Sequence, residues 1–386
     1  MQAALSIPAL SREAARKIGL RYVSDREPGI IRKPAGGDFK YFDAKGSPVR
    51  DAATLKRIRS LVIPPAWTDV WICLREDGHL QAVGRDARHR KQYRYHKYYR
   101  QMRDETKFNR MAAFGAALPK IRAQVHKDLN SRGMCKQKIL AAIVQLLDSV
   151  AIRIGNEDYA RQNESFGLTT MRNNHVEVTG QTIHFHFRGK SGQLQKMKLT
   201  DRRLAAIVRK CQCLPGQELF LYEDADGQIV KIHSEDVNEY LEGLAKEKFT
   251  AKDFRTWKGT TEMILALQQL GPAHNETEAK KNITEAVKIT AQKLGNRPPA
   301  CRGYYIHPAI PAAYMDGSLF QTLDHAQKIQ TSETGLRPEE RAALGLVHHY
   351  RAPQIPKLKD AQRTMSREAQ CNDSDAQNRV QQHLGR

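Results

Sequence analysis

Apolar residues recur along this chain with two different periods, and the alternation between them suggests how it is built. Up to about residue 80 the period is two, as in half-buried strands. Strand-like pieces fall around Tyr22, Ile30-Ile31 and Phe39-Tyr41-Phe42, after a helix expected over Ser11 to Gly19. Val70-Trp71-Ile72 and the pair Leu80 and Ala82 flank Asp77-Gly78, a turn dipeptide that favours a hairpin.

From about residue 105 the period lengthens. Ile139, Ile143, Leu146, Leu147 and Val150 repeat at helical spacing, which predicts a deeply buried helix. Arg153 falls three residues after Val150 on the same face, where an arginine costs free energy unless paired or used. Ile154-Gly155-Asn156-Glu157 then offers a glycine to end the helix. The period of two returns in Val176 and Val178, and in Ile183, Phe185 and Phe187 beyond Gly180, predicting a hairpin. Arg188-Gly189-Lys190-Ser191-Gly192 forms the next turn, leading to a strand through Met197 and Leu199. Helices resume near Ala205. Asn275 is placed to cap one whose positions Ala279, Ile283, Val287 and Leu294 form an apolar stripe. Gly295-Asn296 stops it, and Pro298-Pro299 stiffens the chain beyond.

The expected fold class is therefore α+β. A small β-rich N-terminal domain spans 1–90, and a mainly helical domain with a β-hairpin insert spans 91–325. A polar extension, 326–386, ends in a Gln/Asn/Asp/Arg-rich tail expected to be mobile.

Charge narrows the function classes. Among 386 residues, 63 Lys and Arg stand against 42 Asp and Glu, a formal net charge of +21 that suits a polyanionic partner. No apolar run approaches the roughly 20 residues that cross a bilayer, and the first twenty residues lack a signal-peptide core. A cytoplasmic, nucleoid-associated protein without a membrane partner is expected. The densest charge lies between Arg85 and Arg103, with eight Lys or Arg against one acid, Asp86. Tyr93, Tyr95, Tyr98 and Tyr99 are interleaved there, a composition suited to phosphate contact as well as to a solvated face.

The six cysteines are scattered, and Cys211-Gln212-Cys213 is too tight for the usual zinc spacing. Gly189-Lys190-Ser191 ends like a P-loop, but position 184, where a glycine is required, is His184. Neither a metal nor a nucleotide cofactor is expected. The chemistry points instead to isolated cations. Asp253-Phe254-Arg255-Thr256-Trp257 holds a second arginine between aromatics, and Gly295-Asn296 precedes Tyr304-Tyr305-Ile306-His307-Pro308. A phenol, with an ordinary pKa near 10, becomes a useful nucleophile when cations stabilise its oxyanion and the charge it attacks. Two guanidinium groups match the oxygens of a phosphodiester and do electrostatically what a metal otherwise would.

These segments, in this order, resemble the type IB DNA topoisomerases of the small bacterial and viral kind, over roughly residues 20–320. Ile63-Pro64-Pro65-Ala66-Trp67-Thr68-Asp69-Val70-Trp71 and Gly84-Arg85-Asp86-Ala87-Arg88 with Arg90-Lys91-Gln92-Tyr93-Arg94-Tyr95 carry the N-terminal part. Arg153-Ile154-Gly155-Asn156-Glu157, Phe187-Arg188-Gly189-Lys190, the Arg255 segment and the Asn296 to Pro308 stretch carry the rest. The resemblance implies Tyr305 as nucleophile, Arg153 and Arg255 on the scissile phosphate, and Lys190 as general acid. It puts Asn296 where viral and eukaryotic members have histidine. The adjacent Tyr304 leaves a choice of register, in which the Tyr-Ile-His-Pro context and the nine-residue spacing from Asn296 favour Tyr305. Arg85, Arg88, Arg90, Lys91, Tyr93, Arg94 and Tyr95 are expected at the DNA. The implied activity is ATP- and metal-independent relaxation of double-stranded DNA by a monomer, through a 3′-phosphotyrosyl link. A tyrosine recombinase shares the catalytic set, and a non-enzymatic DNA-binding protein would share only the charge.

Overall fold

The computed structural model describes residues 7–330, 332 and 335–351. The expected tail from 352 onward lies outside the described residues. Contacts divide the chain into two compact units that part between Thr106 and Lys107.

The first unit is built on an antiparallel sheet of order β2-β1-β3-β4-β5. Its strands are β1 (Gly29–Ala35), β2 (Asp38–Phe42), β3 (Thr68–Cys73), β4 (Leu80–Arg85) and β5 (Lys91–Tyr95). The expected hairpin pairs Trp71 with Val83 and Ile72 with Ala82. Helix α1 (Ile7–Lys17) precedes the sheet, and α2 (Ala52–Ser60), which no apolar period announced, lays Ile58 on Ile30, Val70, Ile72 and Ala82. Tyr22 lies outside any strand; the neighbouring Arg21 makes only an isolated bridge to Gly78. Tyr22 instead stacks on His79 at 4.0 Å, whose Nδ1 accepts from the Val23 amide.

Arg32 on β1 explains the Ile63–Trp67 segment. Its guanidinium is almost fully buried, which lowers its pKa. It donates to the carbonyls of Ile63, Pro64, Pro65 and Trp67, at 2.6 Å for the last, and lies 4.1 Å from the centre of the Phe39 ring. A buried charge is tolerated when hydrogen bonds replace its water, so this half-exposed segment is a socket for Arg32.

Helix α3 (Lys97–Leu129) leads into the second unit. At its centre is α4 (Lys136–Val150), where Ile139, Ile143, Leu146 and Leu147 are wholly buried. Each such side chain contributes about 1.5–3 kcal/mol on burial. Helices α7 (Ser234–Ala245) and α8 (Ala251–Leu270) pack on α4. Helix α9 (Glu276–Lys293) packs on α8, with the Asn275 side chain capping it as expected, accepting from the Glu278 amide at 2.9 Å. The insert is the sheet β6-β7-β8, made of β6 (Val176–Thr179), β7 (Thr182–Arg188) and β8 (Leu194–Thr200), followed by α6 (Arg202–Gln212). A short α5 (Glu157–Asn163) precedes the insert, and the ribbon β9 (Leu221–Glu223) and β10 (Ile229–Lys231) follows α6. The chain closes with α10 (Pro298–Tyr304), α11 (Ala309–Met315), α12 (Ser318–Gln327) and α13 (Pro338–His349).

Two local expectations are corrected. The extension from residue 326 reads only as polar, yet it carries an ordered helix, α13, that buries Ala342, Ala343 and Val347. Its Glu340, with no exposed surface, accepts from Arg122 at 2.7 and 2.9 Å, from Arg337 at 2.9 Å and from the Trp257 indole at 3.1 Å. Burial alone would raise that carboxyl, but the two arginines hold it down at about 2. Pro298-Pro299, read as a stiff linker, opens α10, because proline suits the first helical turn.

Candidate active site

Each residue expected to act chemically comes from a different segment of the second unit, and helix ends place most of them. Helix α4 stops at Val150 because Ala151 turns left-handed at φ 51°. Arg153 therefore does not continue the apolar face of α4, as its spacing suggested; it stands in the connector before Asn156, which caps α5. There its guanidinium donates to Asn296 Oδ1, while its carbonyl accepts from the Leu168 amide at 2.9 Å.

Arg255 lies in the second turn of α8 and is 5% exposed. It donates to the carbonyl of Ala151 and, at 2.8 Å, to that of Leu294. These are the capping residues at the C-terminal ends of α4 and α9, where helix carbonyls lack intrahelical donors. One guanidinium thus ties two helix ends together. Its Nε is buried without a hydrogen-bond partner among the described residues. Burial, then the like charge of Arg153, pushes Arg255 down to about 10, which leaves it cationic at neutral pH.

Asn296 follows α9 in a Schellman turn. The Gly295 amide donates to Gln292 and the Asn296 amide to Ala291, which requires the left-handed Gly295 at φ 58°. With Oδ1 engaged by Arg153, the Asn296 Nδ2 is left buried and unpartnered among the described residues.

Tyr305 ends α10, and α8 fixes its backbone. Thr260 donates to the Tyr305 carbonyl at 3.3 Å and accepts from the His307 amide at 3.0 Å. A Cβ at Gly259 would fall 2.6 Å from that same carbonyl oxygen. The Arg255 guanidinium lies 5.2 Å from the Tyr305 ring centre. Burial alone would raise the phenol, but Arg255, Arg153 and Lys190 outweigh it and bring the pKa below its ordinary value. Tyr304, by contrast, is 49% exposed. His307 is a structural residue. Its ring packs on Phe108 and Tyr350, its Nδ1 accepts from the Ala309 amide, and burial lowers its pKa to about 4.

Lys190 is exposed, on a tight turn between β7 and β8. No α-helix opens there, so the P-loop-like Gly189-Lys190-Ser191 is a strand-to-strand turn. Thr260 and Gly259, which seat the tyrosine, and Lys107, 5.9 Å from the Tyr305 ring centre, escaped the sequence reading. Thr260 and Gly259 were recoverable only by noting that they follow Arg255 by one helical turn.

The basic segment belongs to the first unit. Asp86 accepts from the Arg88 and Arg90 amides at 3.0 Å, from the Arg90 guanidinium at 2.7 and 2.9 Å, and from Gln92. Lys91 pairs with Asp25 at 2.5 Å, Arg94 donates to the Val62 carbonyl at 2.7 Å, and Arg85 to the His89 carbonyl at 2.9 Å. Tyr93, 46% exposed, stacks on Tyr95 at 6.0 Å.

Residues 96–306 match the family described as the catalytic core of eukaryotic DNA topoisomerase I, and residues 38–86 match the N-terminal domain of bacterial DNA topoisomerase IB. DNA topoisomerase 1B of Acanthamoeba polyphaga mimivirus is 32% identical over 72% of this chain and 85% of its own. DNA topoisomerase 1B of vaccinia virus (strain Copenhagen) is 23% identical over 59% of this chain and 70% of its own. Among solved structures, the XerH site-specific recombinase bound to its difH substrate aligns over 55% of this chain and 52% of its own. The identity is 12% and the TM-score 0.32.

Proposed function

The chain belongs to the type IB DNA topoisomerases, isomerases that change the topology of DNA, and from that premise we propose a role for each residue around Tyr305. The Tyr305 oxygen, its proton lost to solvent, attacks a backbone phosphorus. The bond to the 5′-oxygen breaks as a 3′-phosphotyrosyl bond forms, and Lys190 delivers a proton to the departing oxygen. Arg153 and Arg255 stabilise the charge on the non-bridging oxygens, joined by one hydrogen bond from Asn296. Asn296 cannot titrate, so proton transfer rests on Lys190 or water. The cut strand rotates about the intact one, and the 5′-hydroxyl attacks back. One phosphodiester replaces another throughout, so ATP has no part to play. One chain carries the full set, so a monomer acting on duplex DNA suffices.

A single observation carries this reading. Arg255 Nε and Asn296 Nδ2 are buried donors without an acceptor among the described residues, beside a phenol whose pKa cations hold down. Leaving a buried donor unpaired costs about 1–3 kcal/mol, a cost that a phosphate oxygen bound between them removes. The test is relaxation of supercoiled plasmid in EDTA without ATP. Tyr305→Phe should abolish both relaxation and the covalent complex while DNA binding persists. If Tyr304→Phe is the inactive variant and Tyr305→Phe relaxes plasmid, the tyrosine is wrongly assigned.

A further inference from the structure

Lys190 projects from an exposed turn on a flexible four-carbon stem, yet an acid must meet one oxygen in one place. The turn itself is small: the Gly189 amide donates to Gln193 at 2.8 Å and the Gly192 amide to Gly189 at 3.0 Å. Neither bond fixes the turn against the rest of the site. The side chain placed to do so is Gln195, on β8 opposite Phe187.

Gln195 is polar but only 9% exposed, and two glycines make room for it. A Cβ on Gly189 would lie 2.9 Å from Gln195 Cγ. A Cβ on Gly295 would lie 2.2 Å from its Oε1 and 2.7 Å from its Nε2. Gly189 immediately precedes Lys190, and Gly295 immediately precedes Asn296. Gly295 has a conformational reason to be glycine at φ 58°. Gly189 has none, since φ −92° and ψ −166° are open to any residue. What a side chain at 189 would cost is the seat of Gln195.

We propose that Gln195 is a positioning residue for DNA cleavage, a wedge that locks the Lys190 turn onto the Gly295-Asn296 turn. The ammonium and the Asn296 amide then address the same phosphate from fixed directions. The inference rests on the reading of Lys190 as the general acid, and its test is built to tell the two apart.

Single-turnover cleavage is measured on two duplexes that differ only in the atom bridging phosphorus to the 5′-carbon, oxygen or sulfur. A thiolate leaves without a proton, so sulfur bypasses the acid. Lys190→Ala should be slow by about 10²–10⁴ on oxygen, the usual cost of losing an acid or base, and close to wild type on sulfur. Gln195→Ala should lose about 10- to 100-fold on oxygen, as a displacement near 1 Å can cost about 10². Sulfur should restore it as well. A residue that merely held the fold together would be slow on both. Gly189→Ala, which evicts the same side chain, should behave alike, and combining it with Gln195→Ala should add little, as for two changes that remove one contact. It also keeps the inference testable if Gln195→Ala folds poorly. Should Lys190→Ala respond to sulfur while Gln195→Ala and Gly189→Ala do not, Gln195 does not position the lysine. Should Lys190→Ala be equally slow on both substrates, the acid role falls, and the inference with it.

Discussion

The first unit holds the densest run of positive charge, from Arg85 to Arg103, yet most of the cations there are paired within the fold, whereas two unpaired donors lie together beside Tyr305 in the second. In the run from Arg85 to Arg103, Arg90 is bound to Asp86, Lys91 to Asp25, Arg94 to a carbonyl of Val62 and Arg85 to one of His89. Around Tyr305 three cations converge on one phenol, and two buried donors, Arg255 Nε and Asn296 Nδ2, stay unpaired side by side among the described residues, where the basic run leaves one, Arg94 Nε. Density of charge is thus a poor guide to chemistry, because exposed cations find neighbours easily and contribute little. Charge held in a buried place without its counter-ion is the informative kind, since the fold bears its cost.

The sharpest way to break this contrast is Arg255→Ala. Removing one donor aimed at developing charge costs about 10²–10³ in rate, and DNA affinity should change little by comparison. The readout is single-turnover cleavage, with thermal melting beside it because the same guanidinium ties the ends of α4 and α9. An Arg255→Ala protein that melts early but cleaves at the full rate would make the arginine a helix tie and nothing more.

A smaller effect is expected in the pH profile. The Tyr305 phenol sits below its ordinary value because Arg255, Arg153 and Lys190 favour the oxyanion over the opposing effect of burial. Cleavage should therefore rise with pH, with its inflection below pH 10. Arg153→Ala takes away one of those cations, so burial gains ground and the inflection should move to higher pH. If the inflection stays in place as the plateau rate falls, Arg153 acts on the phosphate alone.

How much of this was legible beforehand depends on whether the signal was local. The α9 cap at Asn275, the hairpin across Gly180 and the buried face of α4 each follow from neighbours in sequence, and each is present. The second unit's tyrosine, arginines, lysine and asparagine could be singled out as candidates because each stands in a short motif. Helix α13 was missed because Glu340, Arg337 and the histidines make it read as polar. Their partners, Arg122 and Trp257, are more than 80 residues away. The end of α4 was misjudged for a related reason. Ala151 takes a conformation that favours glycine, and its carbonyl receives Arg255 from a helix a hundred residues on. The role of Arg32 was likewise hidden, since its acceptors are backbone carbonyls that have no residue signature.

The gentlest test concerns the basic segment, where the pairings grade the residues one by one. Arg94 is held by a neutral carbonyl and keeps its full charge for a phosphate. Arg94→Ala should therefore lower the log–log salt slope of DNA binding by about 0.9, the value for one phosphate neutralised. Lys91 already faces Asp25, so Lys91→Ala should lower the slope by less. Asp25→Asn releases that lysine and should strengthen binding at low salt. Tyr93→Phe and Tyr95→Phe remove a neutral hydroxyl and no counter-ion, so the slope should hold while affinity falls. The measurement is binding of Tyr305→Phe protein to duplex DNA across a salt series, with each change added in turn. Equal drops for Lys91 and Arg94, with no gain from Asp25→Asn, would mean that DNA draws Lys91 away from its carboxylate. The internal pairings would then say nothing about which cations meet the backbone.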